Sequence, residues 1–175
     1  MAKATLLLGS NRGNRTMIVE QAILEIRQKA GEASAFSSLY ESEPWGFDDN
    51  IPFINKVIVI ETDLSPKLLL NTLLSIENEL GRVRANTGVY SPRPIDIDIL
   101  FYDDIIVNEH DLQIPHPRMQ NRMFTLMPLM EISPDFMHPV LKKPVSELKK
   151  QCPDRLSVYR LTASITEPKA AADEI

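Results

Sequence analysis

Arg93-Pro94-Ile95-Asp96-Ile97-Asp98-Ile99-Leu100-Phe101 alternates apolar and acidic residues with a period of two, the period of a β-strand. On a strand, Ile95, Ile97 and Ile99 point together into a core while Asp96 and Asp98 share the opposite face. The strand is expected to run to Tyr102. Before it, Arg82 to Pro94 shows no periodicity and contains Gly88, Ser91, Pro92 and Pro94, which predicts a long, mobile loop.

N-terminal to that loop, Ser65-Pro66 opens a helix, with Ser65 as N-cap, Pro66 at the first helical position and Leu69, Leu73, Ile76 and Leu80 as its apolar stripe; Gly81 ends it. Phe53 to Thr62, with its Val57-Ile58-Val59-Ile60 run, reads as a strand, as does Ala35 to Tyr40. Between them Glu43 to Asn50 is too rich in turn formers for regular structure. At the start, Ala4 to Leu8 is a buried strand, Gly9 to Asn14 a turn, and Met17, Ile18, Ala22, Ile23 and Ile26 a helical pattern stopped at Ala30-Gly31. The order is βαββαβ, so the expected fold is α+β and ferredoxin-like: an antiparallel sheet with two helices packed on one face, followed by a C-terminal extension. That extension should hold a short strand near Ile105 to Val107, a helix near Phe124 to Glu131 and a weaker strand near Leu156 to Leu161. The expected organisation is one domain over residues 1–164 and a frayed tail over 165–175.

The outer face of the Asp96–Asp98 strand carries the first chemical signal. Alternate residues place the two Cα atoms about 6.6 Å apart, so both carboxylates can converge on a pair of magnesium ions separated by roughly 3.5–4 Å. Hard oxygen ligands fit magnesium better than zinc. An ordinary solvated strand with an acidic outer face reads the same way. Five arginines and no lysine fall between Arg82 and Arg122 (Arg82, Arg84, Arg93, Arg118, Arg122), and the rigid guanidinium fork suits bidentate phosphate contacts. Carboxylates, magnesium and arginines together suit a polyanion such as a nucleoside triphosphate. Arg82 and Arg84 sit on the loop, whose closure would bring them onto transferring phosphates; as exposed loop charges they would need no such role. His116 could donate to a phosphate oxygen, although a histidine beside a proline turn is commonly structural. Trp45, Phe47, Phe53, Phe124 and Asn55 could enclose a flat heteroaromatic ring, or simply pack the core. Gly9-Ser10-Asn11 looks like a phosphate loop but lacks both established glycine-rich patterns.

Composition narrows the classes. The 175 residues, 43% hydrophobic and 25% charged, suit one domain with a true core. A net charge of -5 argues against broad binding to a nucleic-acid backbone. Apolar runs are strand-sized, far short of the roughly 20 residues of a membrane helix, and the start does not read as a signal peptide. The single cysteine, Cys152, reads as structural and fits a reducing compartment, so a cytoplasmic location is expected.

Six blocks in order carry a resemblance over roughly residues 4–135: Leu8-Gly9-Ser10-Asn11; Glu43-Pro44-Trp45-Gly46; Phe53-Ile54-Asn55; Glu77 with Gly81-Arg82-Val83-Arg84; Pro92-Arg93 through Phe101; and Ile114-Pro115-His116 through Asn121-Arg122-Met123-Phe124. The chain resembles the hydroxymethyldihydropterin pyrophosphokinases. The resemblance implies transfer of the β,γ-pyrophosphate of ATP to the hydroxymethyl group of 6-hydroxymethyl-7,8-dihydropterin, with release of AMP, as a step of folate synthesis. It implies that Asp96 and Asp98 hold two magnesium ions. Arg82, Arg84, Arg93, His116 and Arg122 would engage ATP or the transferring group, with Glu77 near the nucleotide. The pterin would stack between Phe53 and Phe124 near Trp45, with Asn55 and the backbone from Ser42 to Pro44 on its polar edge. Tyr90-Ser91 replaces the family's usual Trp-Gly before Pro-Arg, and Phe53 stands where a tyrosine is often found.

The inventory contains no Ser-His-Asp or Cys-His set and no unambiguous general base, Asp96 being the nearest candidate; phosphoryl chemistry depends more on positioning and charge neutralisation. The expected partners are small molecules only, on a monomer. Two other classes remain open from the residues themselves: a regulatory module that binds a small ligand without turnover, and a metal-dependent nuclease using the same aspartates.

Overall fold

The computed structural model describes residues 1–46, 50–82 and 93–162. Most of the expected long loop, with Arg84 and Tyr90, and the tail beyond residue 162 lie outside them, as does Phe47.

The elements are β1 (Ala2–Ser10), α1 (Arg15–Lys29), β2 (Glu32–Phe36), β3 (Tyr40–Ser42), β4 (Phe53–Thr62), α2 (Pro66–Glu79), β5 (Asp96–Tyr102), β6 (Val107–Asn108), β7 (Gln113–Ile114), α3 (Met123–Ile132), α4 (Val145–Gln151) and β8 (Val158–Arg160). The main sheet runs β5-β1-β4-β3-β8, with β2 also on β4, and its pairings are antiparallel. With β1 and β4 central, this is the expected ferredoxin-like arrangement.

Local chemistry sets the helix ends. Asn14 caps α1 by accepting from Met17 N at 3.2 Å, and Ser65 caps α2 by accepting from Leu68 N, with Pro66 at its start. Gly31, at φ 154°, closes α1 against β4: a Cβ there would lie 2.1 Å from Glu61 O, so the turn requires glycine.

The sheet is covered on both faces. Leu6, Leu8, Ile54, Ile58, Ile95, Ile97 and Ile99 pack with α1 and α2 residues such as Ile26, Leu69 and Ile76. On the other face Leu7, Val57 and Leu100 pack with Leu126 and Leu129 of α3 and Val145, Leu148 and Cys152 in and after α4. The expectation of helices on one face therefore describes half the molecule. The acidic residues of β5 share the α3 face with Leu100, so they do not lie on an open, solvated sheet. Three local readings also change. The expected strand Ala35–Tyr40 is two strands, β2 and β3, because Ser37 leaves the ladder and its Oγ accepts from Val57 N at 2.9 Å. The expected strand near Ile105–Val107 is the first arm of the β6–β7 hairpin, and α4 was not foreseen. Among the described residues, no helix is long and apolar enough to cross a membrane.

Candidate active site

The register of the sheet assembles the site. Gly9, near the end of β1, pairs with Asn55 of β4 on one side and Asp96 of β5 on the other. Directly opposed residues of antiparallel strands share a face, so an amide and a carboxylate flank a residue with no side chain. A Cβ on Gly9 would lie 3.4 Å from Asn55 Oδ1 and 3.6 Å from the Phe53 ring. The space it leaves is part of a cavity lined by Trp45, Phe53, Asn55 and Phe124 together with the charged groups Arg93, Asp96, Asp98 and Arg122. Ser42 and Glu43 also line it, whereas Pro44, between Glu43 and Trp45, does not.

The aromatic end is fixed by polar contacts. Asn55 Nδ2 donates to Ser42 Oγ at 2.8 Å, which orients the buried amide. The guanidinium of Arg122 lies 4.7 Å from the Trp45 ring centroid and 5.7 Å from that of Phe124, and Arg93 lies 5.9 Å from the Phe53 ring. Arg122 is only 5% exposed, so these cation–π contacts act away from bulk water.

At the polar end, the side chains of Asp96 and Asp98 retain 21% and 29% exposure. Burial, followed by the neighbouring Asp96 charge, pushes the Asp98 carboxyl up to about 7, against the opposing pull of Arg122 and Arg93. Two hard oxygen donors on one strand face fit a divalent cation such as magnesium. Among the described residues, no cluster of three or more His, Cys, Asp or Glu side chains could hold a metal ion. Such a cation would have to complete its shell with water or substrate oxygens.

Arg82 bridges Glu77 Oε1, at 2.7 Å, and Asp96 Oδ1, while Arg93 Nη2 lies 3.4 Å from Asp96 Oδ2. Glu77, expected near the nucleotide, is 1% exposed on α2 and accepts from Ile97 N at 2.7 Å, pinning the strand between the two aspartates. His116 follows the cis Ile114–Pro115 bond. Its Nδ1 accepts from Arg118 N at 3.1 Å, leaving Nε2 as the N–H, 3.9 Å from Asp98 Oδ2. Burial, with the nearby Arg122 charge, lowers His116 to about 4, so the ring is neutral at pH 7 and offers one N–H to the acidic centre.

Two features were missed from sequence. Asn11, fully buried, accepts from Arg93 N through Oδ1 at 2.8 Å, and its own N donates to Arg93 O at 3.1 Å. The Gly9-Ser10-Asn11 turn thus holds an arginine in place, a role its likeness to a phosphate loop did not suggest. A second cavity shares Asp98 with the first and is lined by His116, Leu70, Ile99, Leu112 and Pro117 among others.

Residues 5–134 match the family model of the 7,8-dihydro-6-hydroxymethylpterin-pyrophosphokinases. A 2-amino-4-hydroxy-6-hydroxymethyldihydropteridine pyrophosphokinase of Porphyromonas gingivalis is 40% identical over 146 residues, covering 82% of this chain and 99% of that protein. The enzyme of the same name from Aquifex aeolicus is 38% identical over 151 residues, covering 86% and 92%. In a crystal structure of Plasmodium falciparum HPPK-DHPS the fold recurs with a TM-score of 0.71 at 21% identity; the match covers 86% of this chain and 44% of that longer one. The extent of these matches places the chain in the 7,8-dihydro-6-hydroxymethylpterin-pyrophosphokinase family.

Proposed function

We propose that the protein transfers the β,γ-pyrophosphate of ATP to the hydroxymethyl group of 6-hydroxymethyl-7,8-dihydropterin, giving AMP and the pterin diphosphate in folate synthesis. The observation that carries this reading is the single cavity that joins an aromatic slot to a carboxylate–arginine centre. A pterin is flat, with polar atoms at its rim. Phe53 and Phe124 offer stacking faces, Asn55 and the backbone at Ser42 and Glu43 the rim contacts, and Trp45 also lines the slot.

The hydroxymethyl group would then point toward Asp96 and Asp98. The acceptor oxygen attacks the β-phosphorus of ATP, the bond from that phosphorus to the α-phosphate oxygen breaks, AMP departs, and the hydroxyl gives up its proton, with Asp96 the nearest acceptor. Asp96 and Asp98 would hold two magnesium ions, which supply charge neutralisation and a more acidic hydroxyl. Arg93 and Arg122 line the cavity, and Arg82 and Arg84 belong to the segment leading out of α2; these four would meet the phosphates. His116 would donate from Nε2 to a phosphate oxygen. The second cavity, where Leu70, Ile99 and Leu112 stand beside polar groups such as Asp98, Gln113 and His116, suits the adenine of ATP. Glu77 acts through Arg82 and the Ile97 amide. We take residues 1–164 as one catalytic domain acting as a cytoplasmic monomer on small molecules.

The deciding experiment supplies ATP, magnesium and the hydroxymethyl pterin and measures AMP and pterin diphosphate together. Production of both, dependent on each component, is expected. Pterin binding without AMP would instead indicate a ligand-binding module, and cleavage of nucleic acid a nuclease.

A further inference from the structure

Helix α3 begins beside two residues of the cavity, Arg122 and Phe124, yet nothing in its own sequence caps it. The N-cap position is Arg122 itself, with extended backbone and no side-chain capping bond. A cation is also the wrong charge for a helix N-terminus, where the exposed N–H groups give a partial positive charge. The missing group arrives from 31 residues further on. Asp154 Oδ2 accepts from Met123 N at 2.9 Å, and its Oδ1 accepts from Leu156 N at 3.0 Å, so one carboxylate ties the first turn of α3 to the segment after α4. That segment is itself held: Cys152 is buried in the α3–α4 core, and Arg155 Nη1 donates to Cys152 O at 2.7 Å. All of it lies outside residues 5–134, the part that matches the family model.

We propose that Asp154 is a positioning residue for the cavity: it caps α3 remotely and thereby fixes where Arg122 and Phe124 enter. The chain of contacts is short. Arg122 O accepts from Thr125 N and Leu126 N in the first turn, each at 3.1 Å. The Arg122 guanidinium lies over both Trp45 and Phe124. If the first turn frays, the cation leaves Trp45 and one stacking face of the slot shifts with it. The carboxylate also brings negative charge to the helix terminus, where it is favourable. Its consequence for substrate rests on the function proposed above; its effect on Arg122 and Trp45 does not.

Trp45 is the sole tryptophan and so reports on the cavity without a ligand. Its emission maximum and acrylamide quenching are compared in the parent, Asp154→Ala, Asp154→Asn and Arg122→Ala, with far-ultraviolet circular dichroism as the folding control. Asp154→Ala should move toward the Arg122→Ala signature. Asp154→Asn, which keeps one acceptor oxygen and loses the charge, should fall between parent and alanine, and it carries the comparison if the alanine variant does not fold. In steady state, pterin KM in Asp154→Ala should rise about five-fold, the scale of a lost helix cap, with a smaller change in kcat. Parent-like Trp45 emission and quenching in a folded variant would overturn the proposal, as would altered emission with unchanged pterin affinity. Failure of the parent to bind pterin would instead refute the proposed function, and the Trp45 comparison would still decide whether Asp154 sets the cavity.

Discussion

Replacing Asn11 by alanine tests whether the turn after β1 exists to hold Arg93. The amide oxygen accepts from Arg93 N at 2.8 Å in a fully buried position, while the amide nitrogen lies 3.4 Å from Ile51 O, a weaker contact. Truncation strips the Arg93 N–H of that acceptor where water cannot readily replace it, at a cost of about 1–3 kcal/mol. For a chain of this length that corresponds to a fall in melting temperature of about 2 to 12 °C. The backbone bond from Asn11 N to Arg93 O survives the substitution, so the lower half of the range is expected. The larger effect should be on turnover. Arg93 reaches Asp96 at 3.4 Å and packs over Phe53, so a displacement on the order of 1 Å disturbs both ends of the cavity and should slow turnover about 100-fold. Thermal melts followed by circular dichroism, paired with an AMP-release assay, measure the two effects separately. A variant that melts within a degree of the parent and turns over normally would refute the reasoning.

Asp96→Asn and Asp98→Asn should each abolish turnover while leaving the fold intact, and should remove the stabilisation that added magnesium gives the parent in a thermal melt; retained turnover in either would sink the two-cation assignment. Because Asp98 is raised to about 7, a proton competes with the cation below that pH, so magnesium affinity measured by calorimetry should weaken as pH falls through 7 and be steady above it. His116 has the opposite shift: its folded value, about 4, lies below the ordinary 6.5, so between these values the unfolded chain binds the extra proton and stability declines as pH is lowered. His116→Gln should flatten that part of the stability–pH curve, and an unchanged slope would show that the ring protonates freely in the folded state. Phe53→Ala and Phe124→Ala should each weaken pterin binding by about 1–3 kcal/mol, tenfold or so, and spare ATP binding; calorimetry on folded protein giving parent-like pterin affinity would return that ring to the core.

What could be read from the chain beforehand follows the range of the interactions involved. Ile95, Ile97 and Ile99 announce a strand because periodicity is local, and Ser65-Pro66 announces a helix start for the same reason. The two-residue β7 and the seven-residue α4 are too short for a period to register. The break at Ser37 is invisible because its hydroxyl serves an amide 20 residues away, Val57 N. The candidate site divides in the same manner. Asp96, Asp98, Arg93, Phe53, Asn55 and Phe124 were legible as residue types and do line one cavity. Asn11 and Asp154 were not, since each acts on a backbone N–H 82 or 31 residues distant and neither carries a local signature of that task. Glu77 shows the converse: its motif marked it for attention, while its burial makes it a support for Arg82 and the β5 backbone.

The placement of Gly9 between Asn55 and Asp96 makes the sheet a ruler. Those two side chains stand two inter-strand spacings apart, about 9.5 Å, and that interval is set by backbone hydrogen bonds that no side-chain substitution can lengthen. Substitution can change Phe53, Phe124 or the arginines, yet the span between Asn55 and the β5 carboxylates stays fixed. An acceptor whose hydroxyl lies one carbon nearer or farther from its ring should therefore be rejected by distance, even where its ring fits the slot.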